Sequence, residues 1–196
     1  MESHGVGRNK KKATWLGAYL IFCDESGFML TPTVRRTWAP VGRTPLIHHH
    51  FANDRISVIA GISVSPTAKR LGLFGMFFWE NIAQEHVVVF LHEVLRHLQG
   101  QLIVLLDNSN IHKGAPIDDL CRRFPRLCLK YFPPYAPELN PEEGAWGLLK
   151  GALGNGRPDD IQDLAEQLQQ EFRGLARSQP KLRGCIQQSG LPFYLS

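Results

Sequence analysis

YLIFCDESGF, residues 19–28, is an apolar run that stops on two acids. Four apolar or aromatic residues lead to Cys23, then come Asp24 and Glu25, then Ser26 and Gly27. An ionised carboxylate is costly to bury without a partner, so such a run needs a reason. A second stretch repeats the arrangement. QLIVLLD (101–107) is continuously apolar, as a strand covered on both faces should be, and it ends on Asp107 before the small polar residues of NSNIHK. If the two strands are neighbours, both carboxylates emerge at one edge of a sheet, where open α/β sheets bind ligands. Two close carboxylates repel and raise a pKa unless a cation lies between them. Oxygen ligands alone favour Mg²⁺ or Mn²⁺ over zinc. Each aspartate by itself is equally well read as a turn former.

The elements around these stations set the fold class. Residues 17–24 read as a first strand, RISVIAGISV (55–64) as a second and LGLFGMFF (71–78) as a third. Over 83–98 the period changes: Val87, Phe90, Leu91, Val94, Leu95 and Leu98 recur at helical spacing, with Glu85, Glu93 and Arg96 opposite. Residues 101–107 form a fourth strand, 114–124 a short helix and RLCLKYF (126–132) a fifth strand. PPYAPELNP (133–141) is a proline-rich loop, and helices follow from Pro141 and over 159–176, then a short tail. Residues 31–50, with three prolines, read as a short hairpin and loop. The order predicts an α/β fold: a three-stranded meander, extended by helical crossovers into one mixed five-stranded sheet with helices on both faces.

Composition narrows the class. The 196 residues are 43% hydrophobic and 20% charged, ordinary for a globular domain with a sizeable core. A net charge of +4 and a pI near 9.0 mildly favour an anionic partner such as nucleic acid. The four cysteines include no CxxC pair, which speaks against zinc, and reduced thiols in the cytoplasm are expected. MESHGVGRNKKK has no apolar core after its charges, so no secretory signal is read there. No apolar run reaches the ~18–20 residues that span a bilayer, so no membrane partner is expected.

A third acidic station is Glu142-Glu143 in LNPEEGAWGLLK. Asn140 is a good N-cap, Pro141 suits the first helical position, and Glu143 stands where a capping-box acid would. Capping and ligation exclude each other for one side chain. Glu143, Trp146 and Lys150 share a helical face, and Glu142 points roughly 100° away, so only one of the two acids faces the sheet edge.

CDESGF, RRTWAPVGRTP, LLDNSNIHK and PPYAPELNPEEGAWGLLK together resemble the catalytic domain of DDE transposases of the mariner superfamily, particularly its bacterial insertion-sequence branch. The last motif is the most specific, matching P-P-Y-S/A-P-x-L-N-P-x-E-x-x-W from Pro133 to Trp146, and the resemblance covers about residues 18–150. It implies an RNase H-like fold with a basic arm (1–17), a catalytic domain (18–155) and a helical extension of the same domain (156–196). The family's acids fall on Asp24, Asp107 and, by motif register, Glu143, with 35 residues between the last two. The implied activity is DNA phosphodiester cleavage and strand transfer with two Mg²⁺ or Mn²⁺ ions. The implied partners are transposon ends and target DNA, in a homodimer. Only about seventeen residues precede the first strand, where the family normally carries helix-turn-helix domains, so a separate DNA-binding subunit or a further N-terminal domain is expected. Two rival readings share the residues: an endonuclease that cuts without joining, and an inactive DNA-binding module derived from a transposase. The expected location is the bacterial cytoplasm, at the nucleoid.

Candidate DNA contacts are Arg35 and Arg36 near Trp38, which suit a strand by charge and stacking, and Asn108, His112 and Lys113 after Asp107. His112 has two possible uses, to position phosphate or to orient Asp107. Each of these also reads as turn or surface chemistry. His48-His49-His50 reads as a loop, since alternate side chains of an extended chain cannot converge on one ion.

Overall fold

The computed structural model describes residues 17–30, 41, 55–67, 70–133, 136–154 and 158–191. The expectations for Arg35, Arg36, Trp38, the basic arm and the three consecutive histidines lie outside them. Five strands form one sheet: β1 (Tyr19–Met29), β2 (Arg55–Val64), β3 (Leu71–Phe78), β4 (Leu102–Leu106) and β5 (Leu127–Tyr131), in the order β3-β2-β1-β4-β5. β1, β2 and β3 pair antiparallel, as a meander should, while β4 is parallel to β1 and β5 to β4. The parallel steps need crossovers, and helices supply them: α1 (Gln84–His97) before β4 and α2 (Ala115–Arg123) before β5. Three helices follow, α3 (Pro141–Leu153), α4 (Ile161–Arg177) and α5 (Gln179–Gln188).

Strand alternation sorts the core into two layers. Leu20, Phe22, Ile103 and Leu105 face α3, α4 and α5, and pack on Trp146, Leu149, Leu168 and Ile186. Ile21, Cys23, Val104 and Leu106 face α1 and α2, and pack on Phe90, Leu91, Val94 and Ile117. All five residues of β4 are buried, as a strand covered on both faces requires. Cys23 is fully buried among apolar side chains and packs as one of them.

Two boundaries differ from the sequence reading. β1 does not stop at Asp24 but runs to Met29, because β2 stays paired with it through Met29↔Arg55. What stops near Asp24 is the pairing with β4, whose last rung is Phe22↔Leu105. The expected short tail holds a further helix, α5. Ser178 caps it by accepting from Lys181 N (3.4 Å), and Pro180 sits in its first turn.

Candidate active site

Asp24 lies just past the last β1–β4 rung and keeps only β2 beside it, paired with Ala60. It continues the Leu20–Phe22 face and so looks toward α3, where Trp146 Nε1 donates to its Oδ2 at 3.0 Å. Burial pushes its carboxyl up to about 7. The indole bond opposes that rise, and the charges of Glu25 and Glu143 add to it. Trp146 is thus both core and a ligand of the acid above it.

Asp107 follows β4 directly, with its side chain half exposed. Its Oδ1 accepts from Ser109 N (2.8 Å), closing a local turn, and meets His112 Nδ1 at 2.8 Å. His112 is wholly buried, and its Nε2 lies 3.0 Å from Glu25 Oε1. Burial lowers the imidazole's pKa, but the hydrogen bond and charge of Glu25, then the backbone and carboxylate of Asp107, outweigh it and leave it raised. The ring therefore turns no edge to solvent for a phosphate. Of its two expected uses, the geometry favours the orientation of Asp107. Asn108 is spanned between Phe132 O (its Nδ2, 2.9 Å) and Lys113 Nζ (3.4 Å), and Lys113 also donates to Asn108 O and lies 5.3 Å over the Tyr131 ring.

Asn140 caps α3 by accepting from Glu142 N (3.2 Å), so the cap does not require Glu143. Glu143 is exposed, and its carboxylate takes no hydrogen bond among the described residues. Glu142 is fully buried. Its Oε1 accepts from Ile62 N, and Oε2 has no partner among the described residues. Burial first, then the charge of Asp24, pushes its pKa well above the ordinary carboxylate value. Helix geometry divides the adjacent acids as the spacing predicts: one enters the core and one stays in water. Gly144 makes this seating possible, since a Cβ there would stand 3.1 Å from Cys185 Cα of α5.

The site therefore has two halves. Asp24 and Glu143 are close enough for one charge to shift the other, and Asp107 is tied to Glu25 through His112. Among the described residues, no three acids, histidines or cysteines are grouped closely enough to hold one ion. The donor set still suits a hard divalent cation. Asp24 carries like-charge repulsion that a cation would relieve, Asp107 Oδ2 lacks a partner among the described residues, and Glu143 is open. Glu25 was not among the expected site residues. Its signal was alternation: adjacent strand residues point to opposite faces, so Asp24 and Glu25 each need a partner of their own.

The sequence profile of the DDE superfamily endonuclease family matches residues 19–165. No curated protein matches. Among solved structures, a pre-cleavage Mos1 transpososome is similar with a TM-score of 0.62 at 15% identity, over 96% of this chain and 60% of that one. The Mos1 mariner paired-end complex with Mn gives 0.60 at 14% identity, over 98% and 62%. The catalytic domain of Mos1 mariner transposase gives 0.52 at 15%, over 96% and 90%. The chain thus spans about three-fifths of the transposase chains in those complexes. At such identities the likeness establishes the fold, the RNase H-like mixed sheet that the motifs imply.

Proposed function

The chain belongs to the DDE superfamily endonuclease family, and from that premise we propose that it is a transposase catalytic domain that cuts DNA phosphodiesters and joins the 3′ end to a target. Asp24, Asp107 and Glu143 are the proposed catalytic acids and ligands of two divalent ions. The observation that carries the reading is Asp24 at the point where β4 falls away, its pKa raised to about 7 by burial first and then by the charges of Glu25 and Glu143. Mg²⁺ or Mn²⁺ bound there would activate the attacking water or 3′-hydroxyl and stabilise the leaving oxygen.

The chain's own residues prepare that state. Trp146 fixes one oxygen of Asp24 and favours its ionised form. Asn140 caps α3 without Glu143, whose exposed side chain is left unengaged among the described residues. His112 and the Ser109 amide hold one oxygen of Asp107 and leave the other open. Lys113 and Asn108, on the loop after Asp107, are proposed phosphate contacts, as are Arg35 and Arg36. Phosphate binding of this kind weakens steeply with salt. The proposed partners are transposon ends and target DNA, bound by a homodimer, with end recognition coming from a helix-turn-helix subunit or a further domain. Among the described residues no helix is long and apolar enough to cross a membrane.

The test uses labelled DNA ends with Mg²⁺ or Mn²⁺. Asp24→Asn, Asp107→Asn and Glu143→Gln should each bring cleavage below detection while the chain still melts cooperatively and still binds DNA. Joined product supports the transposase reading. Cut product without joining supports a plain endonuclease, and unchanged activity in Asp24→Asn overturns both.

A further inference from the structure

We infer that Glu25 and His112 are positioning residues that aim the Asp107 carboxylate, coupling the second acid of the site to the strand that carries the first. This rests on the reading of Asp107 as a metal ligand, and three observations carry it.

The first is burial. His112 follows an exposed aspartate by five residues, on a 3₁₀ turn (Asn110–His112), yet it is wholly buried. A polar ring withdrawn from water must satisfy both nitrogens, and this one does: Nδ1 on Asp107 at 2.8 Å, Nε2 on Glu25 at 3.0 Å. Each ring nitrogen thus lies within hydrogen-bond reach of a carboxylate oxygen, one from each of the two acids.

The second is topology. Glu25 lies on β1, and Asp107 lies beyond the end of β4, where no ladder bond reaches. Glu25 is the chain neighbour of Asp24 but points to the opposite face of the sheet, toward α1 and the 3₁₀ turn. The relay Glu25–His112–Asp107 therefore joins the two acid stations across the gap left by the lost strand pairing. It does so without occupying the Asp24 face.

The third is anchorage. Tyr131 Oη donates to His112 O at 3.0 Å, and Gln84 Nε2 of α1 donates to Lys113 O and to Asn110 O (3.3 Å). Asn108 Nδ2 bonds Phe132 O. The turn backbone is thus held from β5, α1 and the segment after β5. With the turn so held, the imidazole sets the direction of Asp107 rather than following it. Such outer partners of metal ligands affect metal affinity by about 10–100-fold.

The two conservative replacements of His112 separate aiming from mere packing. His112→Asn keeps a donor near the Nδ1 position, toward Asp107, whereas His112→Gln keeps one near Nε2, toward Glu25. The readout is Mn²⁺ binding to the whole chain, followed by the loss of the free-ion paramagnetic resonance signal, with melting temperature recorded in metal-free buffer. His112→Gln should raise the half-saturating Mn²⁺ concentration about tenfold or more, and His112→Asn clearly less, despite its smaller volume. A structural role predicts the reverse ranking, because Gln fills more of the buried space. Equal shifts, or none, overturn the inference. Should His112→Gln fail to fold, Glu25→Gln takes its place: it keeps an acceptor for Nε2 but removes the charge, and should shift the midpoint a few-fold with the fold retained. No shift there overturns the inference equally. Asp107→Asn is the control for the underlying reading. If it binds Mn²⁺ and cleaves DNA like the parent, the site assignment has failed. If it is inactive while the Glu25 and His112 variants match the parent, only the relay has failed.

Discussion

Asp24 is partly buried on the α3 side of the sheet and takes a hydrogen bond from a neutral indole. Asp107, beyond the end of the neighbouring strand, is half exposed and is held by an imidazole that also bonds Glu25. Their strands are parallel neighbours, yet their surroundings are opposite. Asp24 has an ionisation problem: desolvation and like charges resist its negative form, and the indole bond, with the backbone amide of Glu25, only partly offsets them. Asp107 has a direction problem: it hangs from a turn in water, and charged partners fix where it points. A site for divalent ions needs both an acid whose charge awaits a cation and an acid whose lone pairs are aimed.

The same contrast recurs between adjacent residues on α3, and there it yields the largest expected difference. Glu143→Gln should eliminate cleavage, whereas Glu142→Gln should keep most of it, because Glu142 is buried in the core and an amide oxygen can still accept from Ile62 N. Parallel rate measurements on the two variants decide this. The reverse result would move the third acid by one position and make the buried carboxyl the working one.

A smaller effect concerns Asp24 and pH. Its folded value of about 7 lies above its ordinary 3.8, so the unfolded chain releases that proton first. The stability tied to the protonated form is complete below pH 4 and is lost as pH rises through 7. Relative to the parent in metal-free buffer, Asp24→Asn should therefore gain melting temperature across that window, by on the order of 5 °C at pH 8. No relative gain would mean that Asp24 is as well solvated as Asp107, and the contrast between them would dissolve.

Smallest is the effect of the indole. Trp146→Phe removes the one side-chain bond that favours ionised Asp24. The acidic limb of the pH–rate profile should move to higher pH, with a loss of about 2 kcal/mol in chemical denaturation from the lost bond and volume. An unmoved limb would show that Trp146 only packs.

What could be read locally was read well. β-Branched and apolar runs locate β2 and β3 at the observed bounds, and a period of 3.6 locates α1 within a residue, since each element carries its own apolar pattern. The two aspartates stand out because continuous apolar runs stop near them. The division of Glu142 from Glu143 follows from helix pitch alone. The C-terminal helix was missed although Ser178 and Pro180 carried its start signal, because its apolar positions are sparse.

The amino-acid order by itself determined most element types, their succession through the fourth helix, and that Asp107 closes an apolar strand, because those depend on near neighbours along the chain. Only the tertiary structure decided that β1 outlasts its pairing with β4, that Trp146 reaches Asp24 across 122 positions, and that Glu25 meets His112 across 87. The physical reason is that those outcomes depend on what packs alongside. A strand continues while a partner still offers hydrogen bonds, and a buried polar group settles on whichever partner the folded layers bring within reach.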